Sequence, residues 1–283
     1  MEIQWYPGHM AKAKRLLREQ IKLIDIVLEL RDARIPVSSS NPDLVELLKQ
    51  KQRIIVLNKA DLANQKGNLL WIDYLVQNEL QAIALSSHSK ETTKLVKMIE
   101  QLPSKDSNAR LKKGINPRAK RIMVVGIPNV GKSTLVNNLI GKSRARTENK
   151  PGVTKGNQWY KVGKSLELLD TPGLLWPKFV NPDTGFMLAL TGSIRKEIYE
   201  QIEIAQRLLA MMQARQINIL KDVYEIKNLD KGITTPEQLE TLGKRWGLLK
   251  AGGVVDLEKT ANRLLLEFRR GSLGKLTLEY PPK

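Results

Sequence analysis

With 283 residues the chain is long for one domain and comfortable for two, and it holds no cysteine and only two histidines. Disulfides and thiolate metal sites are therefore excluded, and a His-rich zinc site is disfavoured. The formal net charge is +18, from 47 Lys and Arg against 29 Asp and Glu. The charge is clustered: residues 9–22 carry a net +4, residues 103–121 a net +6 and residues 142–155 a net +4. Such clusters fit a polyanion partner, nucleic acid first; a merely soluble basic surface and an acidic membrane are the other readings. No stretch approaches the roughly 18 apolar residues of a membrane span, and the N-terminal region has no apolar signal run. A cytoplasmic protein with no membrane partner is the expectation.

In chain order, residues 9–22 read as a basic helix with Met10, Ala13, Leu17 and Ile21 on one face. Ile24 to Leu30 reads as a buried strand, Ile54 to Leu57 as a second and Ala82 to Leu85 as a third, with helical patterns between them, for example around Leu44 to Leu48 and Leu69 to Leu75. Short apolar strands alternating with helices imply a mostly parallel sheet covered on both faces. Residues 103–121 read as a basic linker, its Lys-, Arg- and Asn-rich stretch bounded by Pro103 and Pro117. Ile122 to Val125 is the next strand, followed by a helix carrying Leu135, Val136, Leu139 and Ile140. Trp159 to Val162 and Leu166 to Leu169 form a hairpin about Gly163. Beyond this the pattern is helical only: a helix near 195–213, one opened by a capping box at Thr235-Pro236-Glu237-Gln238, and one capped by Asp256 with Ala261, Leu264, Leu265 and Phe268 on its buried face. The expected organisation is an α/β domain over residues 1–177 and a smaller all-helical domain over 178–283.

Residues 126–134 spell Gly-Ile-Pro-Asn-Val-Gly-Lys-Ser-Thr, a phosphate-binding loop with a strand before it and a helix after it. Its glycines let backbone N–H groups, those of Asn129, Val130, Gly131 and the residues that follow through Thr134, turn toward phosphate oxygens. The helix N-terminus adds positive potential. Lys132 is placed to contact the β- and γ-phosphates and Ser133 to hold Mg2+. Asn58-Lys59-Ala60-Asp61 has the Asn-Lys-x-Asp form that selects guanine. A carboxylate at Asp61 accepts from guanine N1–H and its 2-amino group, a paired donor edge that adenine lacks. Asn58 braces the loops and the Lys59 stem covers the base. Asp170-Thr171-Pro172-Gly173 fits Asp-x-x-Gly: Asp170 is assigned to Mg2+ and the Gly173 N–H to the γ-phosphate. Thr154 is assigned the second Mg2+ hydroxyl. Ser86 and Ser87, after the third strand, are assigned to the guanine O6 side. In an ordinary GTPase the phosphate loop precedes the guanine motif; here it follows.

These motifs, with the strings Trp5-Tyr6-Pro7-Gly8-His9-Met10, Arg31-Asp32-Ala33-Arg34-Ile35-Pro36 and Leu265-Leu266-Glu267-Phe268-Arg269-Arg270-Gly271, resemble the circularly permuted GTPases over nearly the whole chain. The resemblance implies a circularly permuted P-loop GTPase domain and GTP hydrolysis coupled to late maturation of the large ribosomal subunit. It implies ribosomal RNA and a large-subunit precursor as partners, rather than DNA, a helical domain that helps grip the RNA, and a monomer off the ribosome.

Leu174 stands where Ras-like enzymes carry the water-orienting glutamine, so slow turnover without a partner is expected. Resemblance to cation-dependent GTPases implies that Asn129 helps hold K+ beside the phosphates; a loop-bracing amide is the other reading. His9 is a candidate to orient water, and an RNA-contacting or structural histidine is its alternative. The competing function is a GTP-dependent RNA-binding placeholder with negligible catalysis.

Overall fold

The seven residues of β1, Ile26–Asp32, are all buried, because this strand lies at the centre of a six-stranded sheet ordered β3-β2-β1-β4-β6-β5. The other strands are β2 (Gln52–Asn58), β3 (Gln81–Leu85), β4 (Lys120–Gly126), β5 (Gln158–Val162) and β6 (Leu166–Asp170). The computed structural model describes residues 15–86, 91–103, 118–141, 158–170, 181–215, 217 and 234–282, with only the backbone of Gln158 and Asp170. All neighbours pair in parallel except β5, which forms an antiparallel hairpin with β6 at the sheet edge.

β1 begins two residues later than its apolar run suggests and continues to Asp32. Backbone bonds from Leu23 and Ile24 to Gln20 and Ile21 still close the preceding helical turns. At the other end Arg31 and Asp32 pair with Leu57 and Asn58 of β2. A buried strand tolerates charges here because each is matched: Glu29 is bonded by Arg31 at 2.8 Å, and Asp32 by Arg34.

Helices cover both faces, as the strand–helix alternation implied. On one face lie the helical residues 15–21 (α1), α2 (Pro42–Leu47) and α3 (Gln65–Gln77). Leu17 and Ile21 of α1 and Leu44 of α2 join Val27, Met123 and Val125 in one cluster, while Trp71 and Leu75 of α3 pack with Ile55 and Leu57. Helix α5 (Lys132–Ile140) lies against β4, β5 and β6 and touches α4 (Thr92–Gln101).

The chain divides into two compact units, one spanning 180–276 and the other the α/β unit, which includes residues 277–283. By sequence those last residues belong with the helical part, 178–283. They return instead to the α/β unit, where Leu278 N–H donates to Arg34 O at 2.8 Å. The helical unit contains α6 (Pro182–Leu190), α7 (Gln201–Ala214), α8 (Thr235–Arg245) and α9 (Leu257–Arg270), with α7, α8 and α9 packed pairwise. Asp256 caps α9 through the Lys259 N–H, and Ala261, Leu264, Leu265 and Phe268 are buried as the spacing predicts. The capping box of α8 sits one residue earlier than expected: Thr234 is the cap, and Glu237 returns its bond to the Thr234 N–H at 2.8 Å. Both threonines offer a hydroxyl; the reach of Glu237 from the third helical position selects Thr234.

Candidate nucleotide site

The carboxyl ends of parallel strands are where a doubly wound sheet presents loops to a ligand, and the preferred place is where chain direction across the sheet reverses. Here β1 leads outward to β2 and β3, while β4 leads the other way to β6. The reversal lies between β1 and β4. Asn58 ends β2, Asp32 ends β1 and Gly126 ends β4, so three of these ends fall side by side.

Gly126 has φ +153°, and a Cβ there would lie 2.7 Å from Leu30 O, so the loop can leave β4 pressed against β1 only with glycine. Lys132 follows at the first turn of α5. It is 7% exposed, and its ammonium donates to Gly126 O at 3.2 Å and Ile127 O at 2.8 Å. The lysine is thus folded into the curl of its own loop, where phosphate oxygens compete well for its protons. Ser133 is the next helical residue.

The guanine motif is joined directly to this loop. Asn58, 1% exposed, donates from Nδ2 to Val130 O at 2.7 Å, and Lys59 Nζ donates to Asn129 O at 2.7 Å. Lys59 and Asn129 both have positive φ, 59° and 57°, so two non-glycine residues in the left-handed region face each other through this bond. Asp61 lies in the 3₁₀ turn Ala60–Leu62 and is exposed. Ser86 follows β3, whose last residue Leu85 pairs with Asn58. Residues remote in sequence therefore converge at the carboxyl ends of neighbouring strands.

Asp32 and Arg34 belong to none of the nucleotide motifs. Asp32 Oδ2 lies 3.1 Å from Lys59 Nζ, and the Arg34 guanidinium grips both Asp32 oxygens, at 2.9 and 2.8 Å. Burial by itself would raise the Asp32 carboxyl, but the charges of Arg34 and Lys59 and the Arg34 bonds outweigh it and hold the group far below the ordinary carboxylate range. In sequence the two stand only as opposite charges two residues apart, and their nearness to Lys59 comes from the pairing of Asp32 with Asn58 across β1 and β2.

For a metal, the backbone sets two candidate donor residues on neighbouring elements. Ser133 lies in the first turn of α5, and register places Asp170 opposite Val124 on the neighbouring strand. Among the described residues no group of three or more His, Cys, Asp or Glu side chains could hold a metal. One hydroxyl and one carboxylate fit Mg2+, which usually takes few protein ligands and completes its shell with phosphate oxygens and water. Ser87, Thr154, Gly173 and His9 lie outside the described residues.

Cut before β4 and rejoined, the strands read 2-3-1-4-5-6 across the sheet, with the phosphate-loop strand first. That order and the bonded loop and guanine motif define a circularly permuted P-loop GTPase. A family of 50S ribosome-binding GTPases matches residues 121–245. Ribosome biogenesis GTPase A of Bacillus cereus is 44% identical over 99% of this chain and 95% of that protein, and that of Thermotoga maritima 33% identical over 99% and 95%. The GNP-bound crystal structure of YlqF from T. maritima superposes with a TM-score of 0.68, at 28% identity, covering 96% of this chain and 99% of that one. The chain belongs to the ribosome biogenesis GTPase A family. Among the described residues no helix is long and apolar enough to cross a membrane.

Proposed function

We propose that the protein binds and hydrolyses GTP as a cytoplasmic assembly factor of the large ribosomal subunit, contacting ribosomal RNA and acting as a monomer off the ribosome. The observation that carries this is the pair of bonds from Asn58 and Lys59 to the carbonyls of Val130 and Asn129. They join the base-selecting motif to the phosphate loop in a chain whose relatives are ribosome biogenesis GTPases.

In this reading Asp61 pairs with the guanine edge, the Lys59 stem covers the ring, and Ser86 and Ser87 face O6. The N–H groups of Asn129, Val130, Gly131, Ser133 and Thr134 and the Lys132 ammonium hold the phosphates. Mg2+, when bound, screens the charge on the β- and γ-phosphates; Ser133, Thr154 and Asp170 would hold it. Asn129 would supply an oxygen for K+, and Gly173 would report loss of the γ-phosphate. Lys132 lowers the barrier by meeting charge that grows on the transferring group. His9 is the proposed orienter of water on the ribosomal particle.

Co-sedimentation with large-subunit precursors tests this reading. Binding should be tighter with a non-hydrolysable GTP analogue than with GDP, and turnover should rise when the particle is added. Binding that ignores the nucleotide would remove the assembly-factor reading. Turnover that stays negligible with particles would favour an RNA-binding placeholder. His9→Ala with binding intact and stimulation unchanged would remove His9 from catalysis.

A further inference from the structure

The segment from Thr277 to Tyr280 crosses the α/β unit between two pieces of chain that flank the guanine motif. On one side is the loop after β1. Leu278 N–H donates to Arg34 O at 2.8 Å, and the Glu279 carboxylate accepts the N–H groups of Val37 at 2.7 Å and Ser38 at 2.9 Å as well as the Ser38 hydroxyl. On the other side is the first half of α3 with its cap. Thr277 Oγ1 accepts the Asn64 N–H at 3.1 Å, and Glu279 O accepts the Trp71 indole N–H at 2.8 Å. Thr277 and Leu278 are 5% and 2% exposed. The approach is too close for a side chain at position 67: a Cβ on Gly67 would come within 2.6 Å of Thr277 Oγ1.

Both anchored pieces lead to the base-selecting residues. From the first, Arg34 grips Asp32, Asp32 pairs with Lys59, and Lys59 reaches Asn129 O in the phosphate loop. From the second, Asn68 of α3 donates to Ala60 O at 3.1 Å, within the short turn that carries Asp61. Lys59 holds a left-handed backbone, a conformation that persists only where its surroundings over-determine it.

We propose that residues 277–280, with Asp32 and Arg34, form a clasp that positions Lys59 and the Asp61 turn for guanine, so that a segment following the helical unit sets base selectivity in the α/β unit. The clasp acts through the guanine motif and touches no nucleotide itself; the inference rests on the assignment of Asp61 to the guanine edge. Its members are positioning residues, not catalytic ones. Asp61 is exposed on a single short turn. A displacement of that turn changes how well its carboxylate meets two donors at once, and leaves the phosphate contacts of Lys132 in place.

The test compares GDP with IDP by calorimetry on the full chain. Inosine lacks the 2-amino group, so the GDP:IDP affinity ratio reads the second hydrogen bond to Asp61. Thr277→Val, which keeps shape and removes the oxygen acceptor, and Asp32→Asn are the variants, with deletion of 277–283 as the stronger lesion. The GDP:IDP ratio should fall about fivefold or more, the size of one lost hydrogen bond, while IDP affinity changes little; Thr277→Ser should restore the ratio. If the deletion fails to fold, the point variants decide. GDP and IDP affinities that fall together, or a ratio that does not move, would overturn the clasp. A wild-type protein with no preference for GDP over IDP would instead overturn the guanine assignment.

Discussion

Lys132 spends its protons on two carbonyls of its own loop, Gly126 O and Ile127 O, and is nearly sealed from solvent. Replacing it with alanine removes the ammonium that phosphate would recruit, so GTP affinity should fall by about a hundredfold, the scale of losing charge-assisted bonds. Titration with a fluorescent GTP analogue checks this, and near-normal binding would contradict the assigned role. Asp61 carries a different prediction. Asparagine offers an amide donor to the 2-oxo group of xanthine and its carbonyl to N1–H, so Asp61→Asn should lose GDP and gain XDP. Unchanged preference would show that this exposed turn does not read the base. Glu279 gives a pH prediction. Burial raises its carboxyl, the bonds from Ser38 and Val37 oppose this, and the nearby Asp32 charge adds to the rise. A raised folded value means the native state binds the proton more tightly than the unfolded chain does. That stability is complete below the ordinary value of about 4.3 and is lost as pH rises through the folded value. Glu279→Gln keeps an acceptor for the two N–H groups and removes the charge. Thermal melts from pH 4 upward should lose this descending component in the variant. Asp32 runs the other way: its depressed value gives stability present above the ordinary carboxylate range and lost only in acid.

At the scale of elements, apolar runs announced their own strands. β2 and β4 differ from the expected spans by a residue or two at the ends. Their neighbours were not legible, because strand pairing is set by partners far along the chain. The same limit hid the clasp: Glu279 bonds Val37 across 242 positions, and nothing local to Thr277 or Glu279 marks a partner. Asp32 and Arg34 were visible as charges but not as a pair, since their spacing says nothing of Lys59. The site was legible where chemistry is local, as in residues 126–134, whose glycines and lysine carry their purpose in one string. The α8 cap shows how fine the boundary is. Glu237 is held in its ionised form by the Thr234 N–H first and the Thr234 hydroxyl second. Thr234→Ala removes the oxygen that caps the first turn and should cost about 1 kcal/mol, as cap deletions usually do, whereas Thr235→Ala should cost far less. Chemical denaturation of the two variants, followed by a probe in the helical unit, distinguishes them; equal losses would return the cap to Thr235.

At the scale of the whole molecule, charge and nucleotide meet in one stretch of sequence. Residues 142–155 hold a net +4 and lie between the phosphate loop and Asp170. The same interval includes Thr154, the residue assigned to the metal. If γ-phosphate orders this interval, a basic surface is arranged by GTP and released by hydrolysis. Two dependences should then appear together in binding to large-subunit precursors. Affinity should fall steeply with salt, because Lys and Arg neutralise RNA phosphates and release counterions. The slope of log affinity against log salt should also be steeper with a non-hydrolysable GTP analogue than with GDP, since more cations are engaged in the first state. Replacing Lys142, Arg144 and Arg146 with glutamine should bring the two slopes together without weakening GTP binding in solution. Parallel slopes in the wild-type protein would separate RNA contact from the nucleotide state and remove this interval from any coupling between them.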